Sequence, residues 1–386
     1  MSRALRITLF ALIAVAFIGC GSATPASPDP TPTATSSPVP TPSAPRAPSS
    51  TASASATAIP VQAGEPWIVY EGPIPGGAGI RLVRPDGSGD HWATPGVPLP
   101  PKGWQVHPDW SPDGSRLAFA TDDASDAPGS AAPRDSTRDI WTSRADGTQA
   151  ERVFDCTKPC TQSDDPNWSP DGTTLAFIAY DNIDGSDVHG HLALLDVRTR
   201  AVRTVVTATD NRDVFAWPRW SPDGRRIVLE TQHWSDLSTD AHLVGTTIGV
   251  VTLGDPKAVI RRLTDPAMWP TYPDWSPAGG VILFSTRPWD DLPDGPSNLY
   301  TIHPDGSGLA LLPSQPAVAS LGAPGPIRRA QPSWTPDGTR IIYTAVEGTG
   351  FGSPTMAVVN ADGSGLASAT SSGPMFGTHP RLRPVP

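Results

Sequence analysis

Residues 107–119 read His-Pro-Asp-Trp-Ser-Pro-Asp-Gly-Ser-Arg-Leu-Ala-Phe, and four further versions of this phrase follow down the chain. They start at Asp165 (Asp-Pro-Asn-Trp-Ser-Pro-Asp-Gly-Thr-Thr-Leu-Ala-Phe), Trp217, Tyr272 and Gln331. Their tryptophans, Trp110, Trp168, Trp220, Trp275 and Trp334, stand 58, 52, 55 and 59 residues apart. Recurrence at this period marks a repeat architecture with one supersecondary unit per copy. A proline is tolerated at the start of a strand, where no ladder donor is needed. Ser-Pro-Asp-Gly is turn chemistry, because proline presets φ at the second position and glycine accepts the left-handed conformation that follows. The Leu-Ala-Phe run reads as a strand buried on both faces, since alternation is lost.

A second hairpin signal recurs at Asp86-Gly87, Asp146-Gly147, Asp305-Gly306 and Asp362-Gly363, while residues 196–202 and 254–258 lack it. Each repeat is therefore about four strands, which is one propeller blade. Trp67-Ile68-Val69-Tyr70 reads as a second strand without its first, and His379-Pro380-Arg381-Leu382 as a first strand without its second. Joined, they make one blade from both ends of the chain and leave no open edge. The expectation is an all-β, six-bladed propeller of four-stranded blades over residues 64–386. Glycine and proline, 36 and 47 of 386 residues, agree with so many tight turns.

The pattern resembles the WD40-like (PD40) repeat of TolB-type propellers, and the related propellers of prolyl-oligopeptidase-type enzymes, over residues 66–386. The resemblance implies fold more than activity, because one propeller scaffold carries many activities. The domain that TolB-type proteins carry ahead of their propeller is absent here, and residues 21–63 occupy its place.

Residues 1–20 read as a targeting segment. Arg3 and Arg6 precede an apolar run over 7–18, a secretory layout too short for a comfortable membrane span. The stretch Phe17-Ile18-Gly19-Cys20 resembles the lipobox of bacterial lipoproteins, which implies acylation of Cys20. In residues 21–63, 36 of 43 are Pro, Ser, Thr or Ala, so this linker has no core to build and is expected to be disordered. Together these place the chain outside the cytoplasm, lipid-anchored at the cell envelope, in the periplasm or at the cell surface. Cys156 and Cys160 are then expected to form a structural disulfide.

A net charge of −10 argues against nucleic acid as a partner. Six segments read as the loops between second and third strands, 71–79, 121–139, 180–191, 231–247, 286–298 and 345–355, and together carry −12. That makes one acidic face, suited to a basic protein, a cationic ligand or calcium. Solvated carboxylates account for the same pattern. If the first strand is innermost, the residues before each proline gather at the channel mouth on that face. These are His107, Asp165, Trp217, Tyr272, Gln331 and His379, a plausible ligand site of imidazoles, a carboxylate, aromatics and an amide. The plain alternative is that each satisfies its own neighbours. Asp109, Asn167, Arg219, Asp274, Ser333 and Arg381 form a second ring.

His379, His107 and Asp165 fall on successive blades and could in principle hold a metal, and Asp181, Asp184 and Asp187 with Gly185 hint at a calcium loop, although their spacing misses the EF-hand pattern. No metal and no cofactor is expected. There is no Gly-x-Ser-x-Gly, no phosphate-binding loop and no His-Glu-x-x-His. The expectation is therefore a monomeric, non-catalytic module that binds an envelope protein or polymer. The alternative is a propeller enzyme of polysaccharide lyase or hydrolase type, with its site at the same mouth.

Overall fold

The structure is a computed structural model describing residues 61–62, 64–99, 103–122, 137–157, 159–182, 188–210, 212–235, 242–255, 257–286, 297–313, 327–347, 354–370 and 377–385. The targeting segment, Cys20 and nearly all of the 21–63 linker lie outside them. Strands β1 (Ile68–Ile74), β2 (Gly77–Val83) and β3 (His91–Trp92) begin the wheel. The next blade holds β4 (Gln105–Trp110), β5 (Arg116–Asp122), β6 (Arg138–Arg144) and β7 (Glu151–Phe154). It is followed by β8 (Cys160–Trp168), β9 (Thr174–Asn182), β10 (Val188–Asp196) and β11 (Val202–Thr207). Then come β12 (Asp213–Trp220), β13 (Arg226–Trp234), β14 (Leu243–Thr252) and β15 (Arg261–Arg262). The fifth sheet is β16 (Pro270–Trp275), β17 (Ile282–Thr286), β18 (Leu299–Ile302) and β19 (Ala310–Leu311). The sixth is β20 (Ile327–Trp334), β21 (Arg340–Glu347), β22 (Pro354–Asn360) and β23 (Ala367–Ser368). The last strand, β24 (Thr378–Leu382), pairs antiparallel with β1, giving the order β24-β1-β2-β3. The wheel is thus an all-β six-bladed propeller, closed where its two chain ends share a blade.

The Leu-Ala-Phe runs lie wholly inside, with Leu117, Ala118 and Phe119 fully buried, as are Leu175, Ala176 and Phe177. Arg383 reinforces the closure after β24. Its guanidinium donates to the carbonyls of Gly114 at 2.7 Å and Gln62 at 2.6 Å, tying the shared blade to the one after it.

The expected loops are corrected: strands run into the ends of 121–139, 180–191, 231–247 and 345–355, as β9 and β10 take 180–182 and 188–191, and one expected loop disappears altogether. Residues 71–79 are not a loop, because β1 and β2 run through them and only Pro75 and Gly76 turn between. Two of their glycines answer to close packing: a Cβ on Gly72 would stand 2.7 Å from Arg81 Cδ, and one on Gly79 2.8 Å from Ile74 Cδ1. Glycine in a strand marks such crowding as readily as it marks a turn.

Candidate functional site at the channel mouth

Every innermost strand carries the same irregularity. In β4 the register passes from Val106 opposite Ala120 to Asp109 opposite Ala118, so His107 and Pro108 together face Phe119. The same two-against-one arrangement recurs in β8, β12, β16, β20 and β24, where the single opposing residues are Phe177, Leu229, Phe284, Tyr343 and Tyr70. All six opposing side chains are buried to 1% exposure or less. This is a β-bulge, which kinks the strand and re-aims a side chain. The proline fits it because a bulged position has a backbone amide without a ladder partner.

The first residue of each bulge is left-handed: φ is 55° at His107, 55° at Asp165, 54° at Trp217, 54° at Tyr272, 54° at Gln331 and 51° at His379. A non-glycine residue pays on the order of 1–2 kcal/mol for this conformation. A residue before proline is ordinarily pushed to extended values instead. Six such residues on one ring form a built feature of the fold.

The bulges bring all six expected residues together. The His107 ring meets Trp217 at 4.5 Å and His379 at 4.9 Å between centroids. Trp217 stacks on His379 at 4.9 Å with 24° between planes, and contacts Tyr272 at 4.7 Å. Gln331 Oε1 accepts from the His379 amide at 3.1 Å and from Thr344 Oγ1 at 2.7 Å. Asp165 Oδ2 accepts from the Trp217 amide at 2.9 Å. None of the six is more than 9% exposed, so they close the channel as a packed floor.

Sequence reasoning missed the carboxylates that surround this floor. Asp164 Oδ1 accepts from His107 Nδ1 at 2.5 Å, and Asp165 Oδ1 lies 2.7 Å from the same nitrogen. Glu71 Oε1 accepts from the His107 amide at 2.6 Å and stands 3.0 Å from His379 Nδ1. Glu230 accepts from Thr271 Oγ1 and from the Tyr272 amide at 3.3 Å. Arg138 bridges Asp122 at 3.1 Å and Asp164 at 2.5 Å. Three of these acceptors sit outside the repeated phrase, on second strands or in the shared blade. Asp164 is one residue ahead of the phrase, and no other repeat has a carboxylate there.

Burial alone would push the His107 imidazolium pKa down, but Asp164 and Asp165 outweigh it and hold the ring cationic, at about 10. Burial would raise Glu71, yet His379 and His107 bring it down to about 2. Burial outweighs the bonds that Glu230 accepts from Thr271, Gln232 and the Tyr272 amide, and its pKa rises to about 7. Burial drives His379 down, toward the neutral ring, against the pull of Glu71.

The second ring sits one step along each inner strand and staples blades together. Asp109 Oδ2 accepts from Asn167 Nδ2 at 2.8 Å and from the Trp168 amide at 3.0 Å. Asn167 takes the Trp220 amide at 2.9 Å, and Asp274 the Trp334 amide at 2.8 Å. Arg381 lies 3.6 Å from both Asp109 and Asp274, and Arg219 3.8 Å from Asp274. This ring is structural and charge-matched. Away from it, Cys156 and Cys160 are joined with their Cα atoms 5.2 Å apart. Asp184 and Asp187 lie outside the described residues.

No protein-family model matches the chain. It is 28% identical over 163 residues to an uncharacterized protein of Agrobacterium fabrum, covering 40% of this chain and 44% of the relative. It is 32% identical over 123 residues to an uncharacterized peptidase of Bacillus subtilis, covering 32% of this chain but 16% of the relative. The chain thus spans less than half the length of either relative. Among solved structures, TolB from Acinetobacter baumannii is similar with a TM-score of 0.56 at 17% identity, covering 82% of this chain and 66% of that one. A putative TolB from Agrobacterium tumefaciens is similar at 0.51 and 18%, covering 82% and 91%. A puromycin-hydrolyzing peptidase of Mycobacterium tuberculosis is similar at 0.51 and 16%, covering 81% and 44%.

The expectation that this chain is not an enzyme is corrected by these likenesses, which include a peptidase-named relative. The physical reason is that propellers serve binding proteins and enzymes alike. A search for familiar motifs tests only the chemistries those motifs carry. The described residues form a TolB-like six-bladed β-propeller.

Proposed function

We infer that this chain is a monomeric binding module at the bacterial cell envelope, anchored by a lipid on Cys20 and held off the membrane by the 21–63 linker. It takes a cationic partner, such as a basic segment of an envelope protein or polymer, on the acidic hairpin face above the channel mouth. One observation carries this reading. Six side chains of five kinds, one per blade, are held on the same strained left-handed bulge and converge on one place. Strained backbone persists where a structure over-determines it, and such places cluster at binding sites. Glu71, Asp164, Asp165 and Glu230 around the floor, and the acidic hairpins above it, select for positive charge.

Calorimetric titration of the full chain with oligolysine, in chelator, tests the reading. The expected result is saturable binding that weakens with salt and falls roughly tenfold or more in Asp165→Asn. Absence of heat, or equal binding by the variant, contradicts it.

A second reading, an enzyme of polysaccharide lyase or hydrolase type at the same mouth, is favoured by Glu230. Its pKa near 7 suits a general acid or base at neutral pH. Turnover of oligosaccharides that Glu230→Gln abolishes, with binding intact, distinguishes this reading from the first.

A further inference from the structure

His379 is nine-tenths buried, and among the described residues neither of its ring nitrogens makes an aligned hydrogen bond. Its Nδ1 stands 3.0 Å from Glu71 Oε1 but without the alignment of a hydrogen bond. Buried polar atoms are nearly always partnered, so an Nδ1 that faces a carboxylate without bonding to it requires an explanation. The surroundings supply one. Glu71 Oε1 is also 4.0 Å from His107 Nε2, and one ligand atom from each of Glu71, His107 and His379 lies within 4.8 Å of the others. Ligands of a tetrahedral zinc ion, bound at 2.0–2.1 Å, stand about 3.3 Å apart, between the two separations seen here.

We propose that Glu71 Oε1, His107 Nε2 and His379 Nδ1 bind a divalent transition ion of the zinc class in the floor of the channel mouth. The second shell is already in place. His107 turns its other nitrogen, Nδ1, to Asp164 and Asp165, the carboxylate–histidine arrangement that orients a metal-bound imidazole and raises its basicity. Glu71 Oε2 is fixed by Thr378 Oγ1 at 3.1 Å. Binding releases the proton on His107 Nε2 and keeps the one shared with the aspartates. Two imidazoles and a carboxylate are borderline ligands that suit zinc better than calcium or magnesium. They leave the fourth position to water or to a donor atom of a bound partner. The ion also joins the strands that close the wheel, since Glu71 and His379 belong to the shared blade and His107 to the blade after it.

The test uses the full chain stripped with chelator and titrated with Zn²⁺ alone. The expected result is one equivalent bound, and an X-ray absorption spectrum of the wild-type protein with a nitrogen and oxygen shell free of sulfur. Co²⁺ substitution is expected to give the visible absorption of a tetrahedral site. Glu71→Gln and His379→Gln should each weaken binding at least tenfold, and Asp164→Asn about tenfold through the second shell. Substoichiometric binding, a shell containing sulfur, or undiminished affinity in His379→Gln overturns the proposal. The spectrum of the wild-type protein decides the matter even where a variant fails to fold. Because the oligolysine titration is run in chelator, failure of the metal site leaves the cationic-partner reading standing, and the reverse also holds.

Discussion

The two ends of each innermost strand follow opposite rules. At the turn end, Ser-Pro-Asp-Gly or its threonine version is repeated almost unchanged. Asp113, Asp171, Asp223 and Asp337 each accept from the hydroxyl two residues before them at 2.5–2.6 Å. Each also accepts an amide two residues on at 3.0 Å. At the mouth end the backbone is just as uniform, with six φ values between 51° and 55°, yet the six side chains are of five kinds. Where side chains hold the backbone, they repeat. Where the backbone holds side chains, they diverge. That contrast marks the mouth, and not the turns, as the place where the six blades of this chain differ from one another.

The largest expected effect breaks the turn end. Gly114 is left-handed at φ 66°, and a Cβ there would lie 2.3 Å from the Pro384 carbonyl. Gly114→Ala should cost about 3 kcal/mol or more in denaturant unfolding, through strain and the displaced closure segment together. A loss under about 1 kcal/mol would show the turn to be as tolerant as the mouth.

At the mouth, Glu230 makes stability depend on pH. Its carboxyl ordinarily titrates at 4.5 and in the folded protein at about 7. Between these values the folded state keeps a proton that the unfolded chain releases, so stability falls as pH rises, by about 3 kcal/mol across the window. Glu230→Gln should flatten that part of the profile. A slope that survives the substitution assigns it elsewhere.

Smaller effects compare one turn with another. Asp171→Ala removes a side chain that accepts three hydrogen bonds at an exposed turn, and should cost about 1 kcal/mol with binding at the mouth unchanged. The turn after β16 already has alanine at this place, with the Ala278 amide donating to Ser276 Oγ at 3.3 Å instead. Ala278→Asp should therefore gain a few tenths of a kcal/mol in melting experiments. A loss there would mean that this turn is not equivalent to the other four.

The fold was legible because the repeated phrase names its own turns and strands. The closure was legible because Trp67-Ile68-Val69-Tyr70 and His379-Pro380-Arg381-Leu382 are halves of one unit. The ring could be listed in advance, since it occupies one place in that phrase. Its chemistry could not. That His107 is a buried cation follows from Asp164, and that Glu71 faces two histidines follows from pairing across 307 residues between β1 and β24, as its bond to Thr378 shows. Such contacts are set by which blade stands beside which, and no local spacing encodes them. The misread 71–79 segment has the same root, because Gly72 and Gly79 answer to Arg81 and Ile74, and only Gly76 to a turn.

Amide hydrogen exchange of the full chain, with and without saturating oligolysine, bears most directly on the division between the two ends. Protection is expected at the bulges, residues 106–109, 164–167 and 215–219. The Ser-Pro-Asp-Gly turns around Gly114, Gly172 and Gly224 should be unchanged. Protection confined to those turns, or spread evenly over the wheel, would refute the assignment of the mouth as the binding site.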